Sequence, residues 1–418
     1  MSRTSLAPLA AAALLCFAAA AHADAGLPQG KGKEAVEAHC VQCHPLDRIL
    51  GAGYGRDGWR NNLQMMINVG STLPREQVEP VVQYLAEHFP EKPKPQAAVI
   101  PGGVRVTIKE WPLPTPGSRP HDPLATPDGA IWYTGQFANL LGRLDPASGK
   151  VEEFPLPAGS GPHGLVADKN GNILYTANFK AAIGRLDPRT REVREYPMPD
   201  RAARDPHTLV FDRKGIVWFT VQGANRVGRL DPESGEVKLV ASPTPKSRPY
   251  GIQVSPKGIP FFVEFGTSKI ASIDPATLEI REYALPSAEA RPRRLAITSD
   301  GAIWYSDFAR GYLGRYDPAT GKAREWASPG GPGSQPYGIA AIDDVLWYSE
   351  SGTKPNTIVR FDPRTEKFQS WAIPSGGGVV RNVDVTRDGN LAIACSGVNR
   401  VGLVVIEKKT AARAAPGR

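Results

Sequence analysis

The pair Asp-Pro recurs at Asp145, Asp187, Asp231, Asp274, Asp317 and Asp362, each after a short apolar stretch, with intervals of 42, 44, 43, 43 and 45 residues. So regular a spacing admits few folds, because each period must be one supersecondary unit stacked against the next. The units also read alike. The first runs Asp128-Gly-Ala-Ile-Trp-Tyr-Thr, then Leu141-Gly-Arg-Leu-Asp-Pro, then Val151-Glu-Glu-Phe-Pro; the third repeats it as Gly215-Ile-Val-Trp-Phe-Thr and Val227-Gly-Arg-Leu-Asp-Pro. Apolar residues alternating between Gly, Pro and Asp turns spell strands. The 43 Gly and 40 Pro of the 418 residues supply those turns and argue against a mainly helical chain. A period near 43 fits a four-stranded blade.

Six units carry the Asp-Pro mark, and a seventh, Arg381 to Ile406, supplies three strands and stops. Val104 to Trp111 reads like the outermost strand of a blade yet precedes the first full copy. Pairing it with the last blade closes the ring and removes the exposed edges, which predicts a seven-bladed all-β propeller over 104–406. Trp132, Trp218, Trp304 and Trp347 fall at strand positions facing between blades and are expected in the core.

The N-terminus sets the compartment. Arg3, the apolar run Leu6 to Ala21 and the small-x-small Ala21-His22-Ala23 make residues 1–23 a signal peptide cleaved before Asp24, with a periplasmic or secreted product. Cys16 lies in that run, but Leu15 before it is too bulky for a lipid-anchor signal. No other stretch approaches the ~18 apolar residues of a membrane span, so no stable membrane insertion is expected. The formal charge of +8 is scattered, and the basic tail 407–418 reads as a solvated terminus; no nucleic-acid partner is expected.

Cys40-Val41-Gln42-Cys43-His44 follows this export signal. Its spacing lets two thiols bond one haem while the next imidazole ligates the iron, so one covalent haem c is expected. Helix-like segments flank the motif, Lys31 to His39 before it and Arg75 to Phe89 after it, the latter with Val78, Val81, Val82, Leu85 and Phe89 at helical spacing and Tyr84-Leu85 inward. The second axial ligand is Met65 or Met66; Met66 shares a helix face with Trp59 and Leu63 and is the expected one. His39 and His88 read as surface residues. This stretch resembles a small class I cytochrome c, which implies a small all-α haem domain over 24–92, joined to the propeller by a Pro-rich linker, 93–103.

Two positions of each blade project toward the mouth of the channel. The first runs His121, His163, His207, Tyr250, Arg293, Tyr337 and Arg381; the second, 13 or 14 residues on, runs Gly135, Ala177, Val221, Glu264, Asp307, Glu350 and Cys395. Glu264, Asp307 and Glu350 could share a divalent ion such as Mg or Ca, or neutralise Arg293, Arg294 and Arg381. The histidines could take a softer metal or an anion, or serve as hydrogen-bonded wall residues. Cys395 reads as an inert buried thiol.

Pro162-His163-Gly164-Leu165, Pro249-Tyr250-Gly251-Ile252, Pro336-Tyr337-Gly338-Ile339 and Trp218-Phe219-Thr220 resemble the blade signatures of the streptogramin (virginiamycin B) lyase family. The resemblance covers 104–406. It implies two histidines on neighbouring late blades, with a glutamate 14 residues after the second, holding a divalent ion; the second histidine takes the proton that opens a lactone. Those places hold Tyr337, Arg381 and Cys395 here, and Arg is no base at neutral pH. A shifted set, His207, Tyr250 and Glu264, keeps one histidine and the glutamate.

The expected function is that of an exported monohaem c-type cytochrome in electron transfer, its propeller binding a redox protein partner or a small-molecule substrate. The alternatives are a divalent-metal-dependent lyase with the haem as redox sensor or cap, and a recognition propeller without catalysis.

Overall fold

The computed structural model describes residues 26–41 and 44–407. The segment 1–23, Cys43 and all but the first residue of the basic tail lie outside the described residues.

Seven four-stranded antiparallel sheets form a ring. Blades 1 to 6 take their strands in chain order, the innermost being Pro120–Ala125, Pro162–Ala167, Pro206–Phe211, Pro249–Val254, Pro292–Ile297 and Pro336–Ile342. Blade 7 is composite: its inner strands are Val380–Val385, Leu391–Cys395 and Arg400–Ile406, and its outermost strand is Val106–Pro112. That strand pairs Val106 with Ile406 through Pro112 with Arg400, the closure the sequence predicts.

Each element of the repeat has a structural reason. The Asp of each of the six periodic Asp-Pro pairs accepts the backbone N–H two residues on, as at Asp145–Ala147 (2.9 Å) and Asp274–Ala276 (2.8 Å), and so makes the turn between the outer strands. The Gly of Leu-Gly-Arg lies opposite an aromatic of the neighbouring strand: Gly142 opposite Tyr133, Gly228 opposite Phe219. A methyl group on Gly228 would lie 2.1 Å from the Phe219 ring, so the ring lies flat across bare backbone. All four repeated tryptophans are buried.

The Thr or Ser that follows the aromatic pair joins one blade to the next. Thr176 Oγ1 accepts the Gly164 N–H (2.8 Å) within its blade and donates to the His207 carbonyl (2.8 Å) in blade 3. Thr134, Thr220, Ser306 and Ser349 do the same at their own joints. Blade 4 has Val263 there, and in blade 7 Ser396 closes the ring by donating to the Pro120 carbonyl (2.7 Å).

Ahead of the propeller stand four helices, α1 (Lys33–His39), α2 (Asp47–Leu50), α3 (Arg56–Asn68) and α4 (Arg75–His88). They close over Val36, Trp59, Leu63, Val81, Val82 and Leu85. Tyr84 is buried as expected, its hydroxyl donating to the Pro28 carbonyl (2.6 Å). The helices rest on the propeller through α3: Asn61 Nδ2 donates to the Gly397 carbonyl (3.0 Å), and Asn68 Nδ2 to those of Pro116 (2.9 Å) and Gly117 (3.1 Å). Gly117 has φ +64°, and a Cβ there would sit 2.9 Å from the Met65 nitrogen, so this contact needs a glycine. The linker then crosses blade 6, where Lys354 N–H donates to the Pro95 carbonyl (2.9 Å) and Ile100 N–H to Ser370 Oγ (2.9 Å).

Two substitutions test this framework. Thr176→Val leaves a buried N–H and a buried carbonyl unpaired and is expected to cost about 2–4 kcal/mol, read as a lower urea midpoint at unchanged m. Gly228→Ala is expected to cost about 1–3 kcal/mol through overpacking, and Phe219→Leu should recover part of that loss in the double variant.

Candidate functional site

In all seven blades the innermost strand carries a bulge just after its first residue: Pro206 pairs with Val221 but Leu209 pairs with Phe219, so one extra residue is accommodated. Two consecutive residues therefore leave the ladder and meet the channel. The first of each pair is the expected set: His121, His163, His207, Tyr250, Arg293, Tyr337 and Arg381. The structure places them in one ring. His121, His163, His207 and Tyr250 lie side by side with ring centroids 3.7, 3.7 and 3.8 Å apart. Tyr250 and Tyr337 are hydrogen-bonded through their hydroxyls in front of Arg293, whose guanidinium lies 4.0 Å from the Tyr337 ring and 4.1 Å from that of Phe308.

The second residue of each pair makes a layer below, which the sequence reading passed over because an alternating strand sends neighbouring residues to opposite faces. Here Asp122 of blade 1 accepts two hydrogen bonds from Arg294 Nη2 of blade 5, at 2.8 and 3.0 Å, across the channel. Asn382 of blade 7 donates to the same carboxylate (3.2 Å), and Arg294 Nη1 also donates to Thr208 of blade 3 (3.3 Å). His121 Nδ1 donates to Asp122 Oδ1 (2.8 Å), and His207 Nδ1 pairs with Thr208 Oγ1 (3.0 Å). His163 Nδ1 is buried with no partner, as is Arg294 Nε. This layer roofs a cavity of ≈ 340 Å³ that Asp122, Thr208, Arg294 and Asn382 line together with the apolar remainder of the inner strands, Gln253 and Asp384, whose burial raises its carboxyl to about 6.

Charge dominates the ring. Burial, then Arg381, Arg119 and Arg294 at His121, holds the imidazoles far below their ordinary range, so all three are neutral. Burial raises the Tyr250 phenol to about 12; at Tyr337 the Arg293 and Arg381 charges outweigh burial and lower it. Arg119, just before the ring in blade 1, is brought down to about 9 by burial and by the Arg381 charge.

The acids expected at the mouth are elsewhere. Glu264, Asp307 and Glu350 lie opposite Pro249, Pro292 and Pro336 and turn into the loops of their own blades and the preceding joints. Glu264 accepts from Ser242 and Thr267; Asp307 from Arg310 Nε (2.6 Å) and Arg291 N–H (3.0 Å); Glu350 from Ser328 (2.6 Å), Gly330 N–H (2.7 Å) and Thr357 (2.7 Å). They neither converge on one ion nor neutralise Arg293, Arg294 or Arg381. The set His207, Tyr250 and Glu264 is likewise divided, the first two in contact and the third turned away. Cys395 is buried, as expected of an inert thiol.

Among the described residues, one group of three could close on a metal: His121, Asp122 and His163, with ligand atoms within 4.8 Å. It does not fit a divalent ion. Both Asp122 oxygens are already taken by Arg294, His121 and Asn382, and the neighbouring guanidinium charges oppose a second cation.

A second cavity, ≈ 240 Å³ and mainly apolar, lies within the helices, lined by Cys40, His44, Trp59, Leu63, Met66 and Leu85. Met66 reaches it, while Met65 is buried but does not line it, and its backbone nitrogen stands beside Gly117. His39, expected at the surface, also borders this cavity and bonds Thr72 Oγ1 (2.9 Å). Tyr54 lines it as well.

Comparison with known proteins covers the propeller. The model of the Virginiamycin B lyase family matches residues 102–273 and 261–417. The virginiamycin B lyases of Bordetella pertussis and Bordetella parapertussis are each 42% identical over 53 residues, which is 13% of this chain and 17% of theirs. The matched stretch thus spans about a sixth of those relatives. A solved streptogramin B lyase superposes with a TM-score of 0.66 at 26% identity over 72% of this chain and 98% of its own. The virginiamycin B lyase of Staphylococcus aureus does so with a TM-score of 0.66 at 22% identity, a likeness of fold. These matches overturn the expectation that the chain is in the first place an electron-transfer cytochrome, and they favour the lyase alternative. Three-quarters of its length is a lyase-type propeller, and the chain belongs to the Virginiamycin B lyase family.

Proposed function

We propose that the protein is an exported lyase that opens an ester by proton abstraction at the ring end of its channel. The observation that carries this is the His121–Asp122 pair. Its carboxylate orients the imidazole through Nδ1, and burial keeps the ring neutral, so Nε2 is the proton acceptor. Asp122 is itself held by Arg294 and Asn382, which fixes the pair in place. In the reaction His121 Nε2 takes a proton from the carbon beside a carbonyl. A carbon–carbon double bond forms as the ester C–O bond breaks, and a carboxylate departs with the bonding electrons. The proton passes from His121 to water. No divalent ion enters this scheme, in keeping with the poor fit of the site to one.

The relatives' names suggest the first substrate to try. Full-length protein in EDTA is expected to convert virginiamycin B to a product of unchanged mass and altered retention. His121→Gln should lower kcat/KM by about 10²–10⁴-fold, the usual worth of a general base. Absence of conversion by the unaltered protein, with or without Mg, overturns the lyase reading.

The helical module is proposed to carry haem c on Cys40 and Cys43, with His44 and Met66 on the iron. The support is the motif together with the apolar cavity in which Cys40, His44 and Met66 meet. His44 and Met66 would hold the iron, and the haem would supply one-electron redox chemistry there. In this reading the helices that hold it rest on blade 7 and on the segment leading into blade 1 through Asn61 and Asn68. The exported protein should give a haem-staining band in a denaturing gel that is lost in Cys40→Ala/Cys43→Ala. Met66→Ala should keep the stain but lose the thioether band of the oxidised spectrum; an unchanged spectrum assigns the ligand elsewhere.

A further inference from the structure

We propose that the ring end of the channel is an oxyanion site, built by Arg119, Arg293 and Arg381 to receive a carboxylate where a lyase of this family would place a divalent cation. The inference rests on the lyase reading and deepens it, since the ester opening releases a carboxylate that these guanidiniums would hold as it forms.

Three observations carry it. First, none of the three has a carboxylate partner among the described residues. Arg119 Nη1 donates to Gln136 Oε1 (3.0 Å) and lies over Phe137; Arg381 Nε donates to Ser396 Oγ (3.2 Å); Arg293 is set among the rings of Phe265, Phe308, Tyr250 and Tyr337, its Nε buried and unpaired. Second, they stand around one place: Arg293 and Arg381 both look onto the Tyr337 ring, at 4.0 and 6.0 Å, and Arg119 stands two residues before His121 of the same ring, where the Arg381 charge adds to burial in lowering its pKa. Third, the acid of this layer is already engaged, because Asp122 is bound to Arg294, and the buried His163 Nδ1 beside it has no partner. Uncompensated guanidiniums and an unpaired imidazole nitrogen describe a site short of one negative ligand. A planar guanidinium matches the two oxygens of a carboxylate, and phosphate offers the same geometry.

The test is isothermal titration of the full-length protein with sodium succinate, inorganic phosphate and MgCl2 in separate runs. Submillimolar binding of succinate or phosphate, with no heat from Mg, is expected; succinate alone would mark a carboxylate site and phosphate alone a phosphate site. Arg381→Gln should weaken the bound anion at least tenfold and Arg381→Lys less, both with near-ultraviolet dichroism unchanged. If that variant fails to fold, Arg293→Gln is read in the same way. Failure of both anions to bind, or binding indifferent to Arg381 and Arg293, overturns the inference, as does Mg binding that His121→Gln abolishes. Anion binding without turnover of virginiamycin B would remove the lyase reading and leave the site. Turnover without anion binding would do the reverse.

Discussion

The buried ion pair between Asp122 and Arg294 is the contact on which the rest of the site depends. It joins blade 1 to blade 5 across the channel, draws in Asn382 from blade 7 and Thr208 from blade 3, and fixes the orientation of His121. Two charges so far from water are stable only when their hydrogen bonds are nearly complete, and removing one partner strands the other at a cost of about 3–5 kcal/mol. Its worth lies in specificity: seven near-identical blades give little to distinguish one face of the ring from another, and this pair sets which residues meet.

Around that pair the repeat does the mechanical work. The Thr or Ser of the second strand carries hydrogen bonds from blade to blade at the level of the ring, so a shift of one blade is felt at the carbonyl of the next ring residue. Blade 4 is the exception, with Val263 in place of a hydroxyl. There the joint is held by apolar and aromatic packing around Tyr250, Tyr305 and Tyr337, the region where Arg293 is set among rings. Departure from the repeat and the aromatic setting of Arg293 thus occupy the same sector.

The ring closure, the Trp core and the first ring residue of each blade could be read from the sequence because they follow a regular period or a fixed place after a Pro. The Asp122–Arg294 layer could not. A bulge of one residue breaks the alternation that strand reasoning relies on, and nothing local distinguishes Asp122, Thr208, Arg294 and Asn382 from outward-facing polar residues. The one available signal was their irregularity: the same position holds glycine in blades 2, 4 and 6. Glu264, Asp307 and Glu350 misled for the converse reason. Their position near the mouth was right, but a side chain at a strand end is free to turn sideways, and loop hydroxyls and N–H groups satisfied each one locally.

A site that receives an anion, as proposed, asks something different of the fold than a metal site does. A divalent ion needs several oxygen ligands brought within bonding distance and tolerates few positive neighbours. A guanidinium needs only to be held in orientation, and aromatic faces do this without cancelling its charge. The late-blade positions follow that logic: Arg381 is set against Ser396 and the Tyr337 ring, and Cys395 is a buried thiol beside Glu110, whose carboxylate accepts from Ser375. The Glu110 carboxylate is bound to Ser375 and does not reach the guanidiniums as a partner. Together, the arginines, the neutral histidines and the engaged Asp122 carboxylate are one arrangement, each member consistent only with the others.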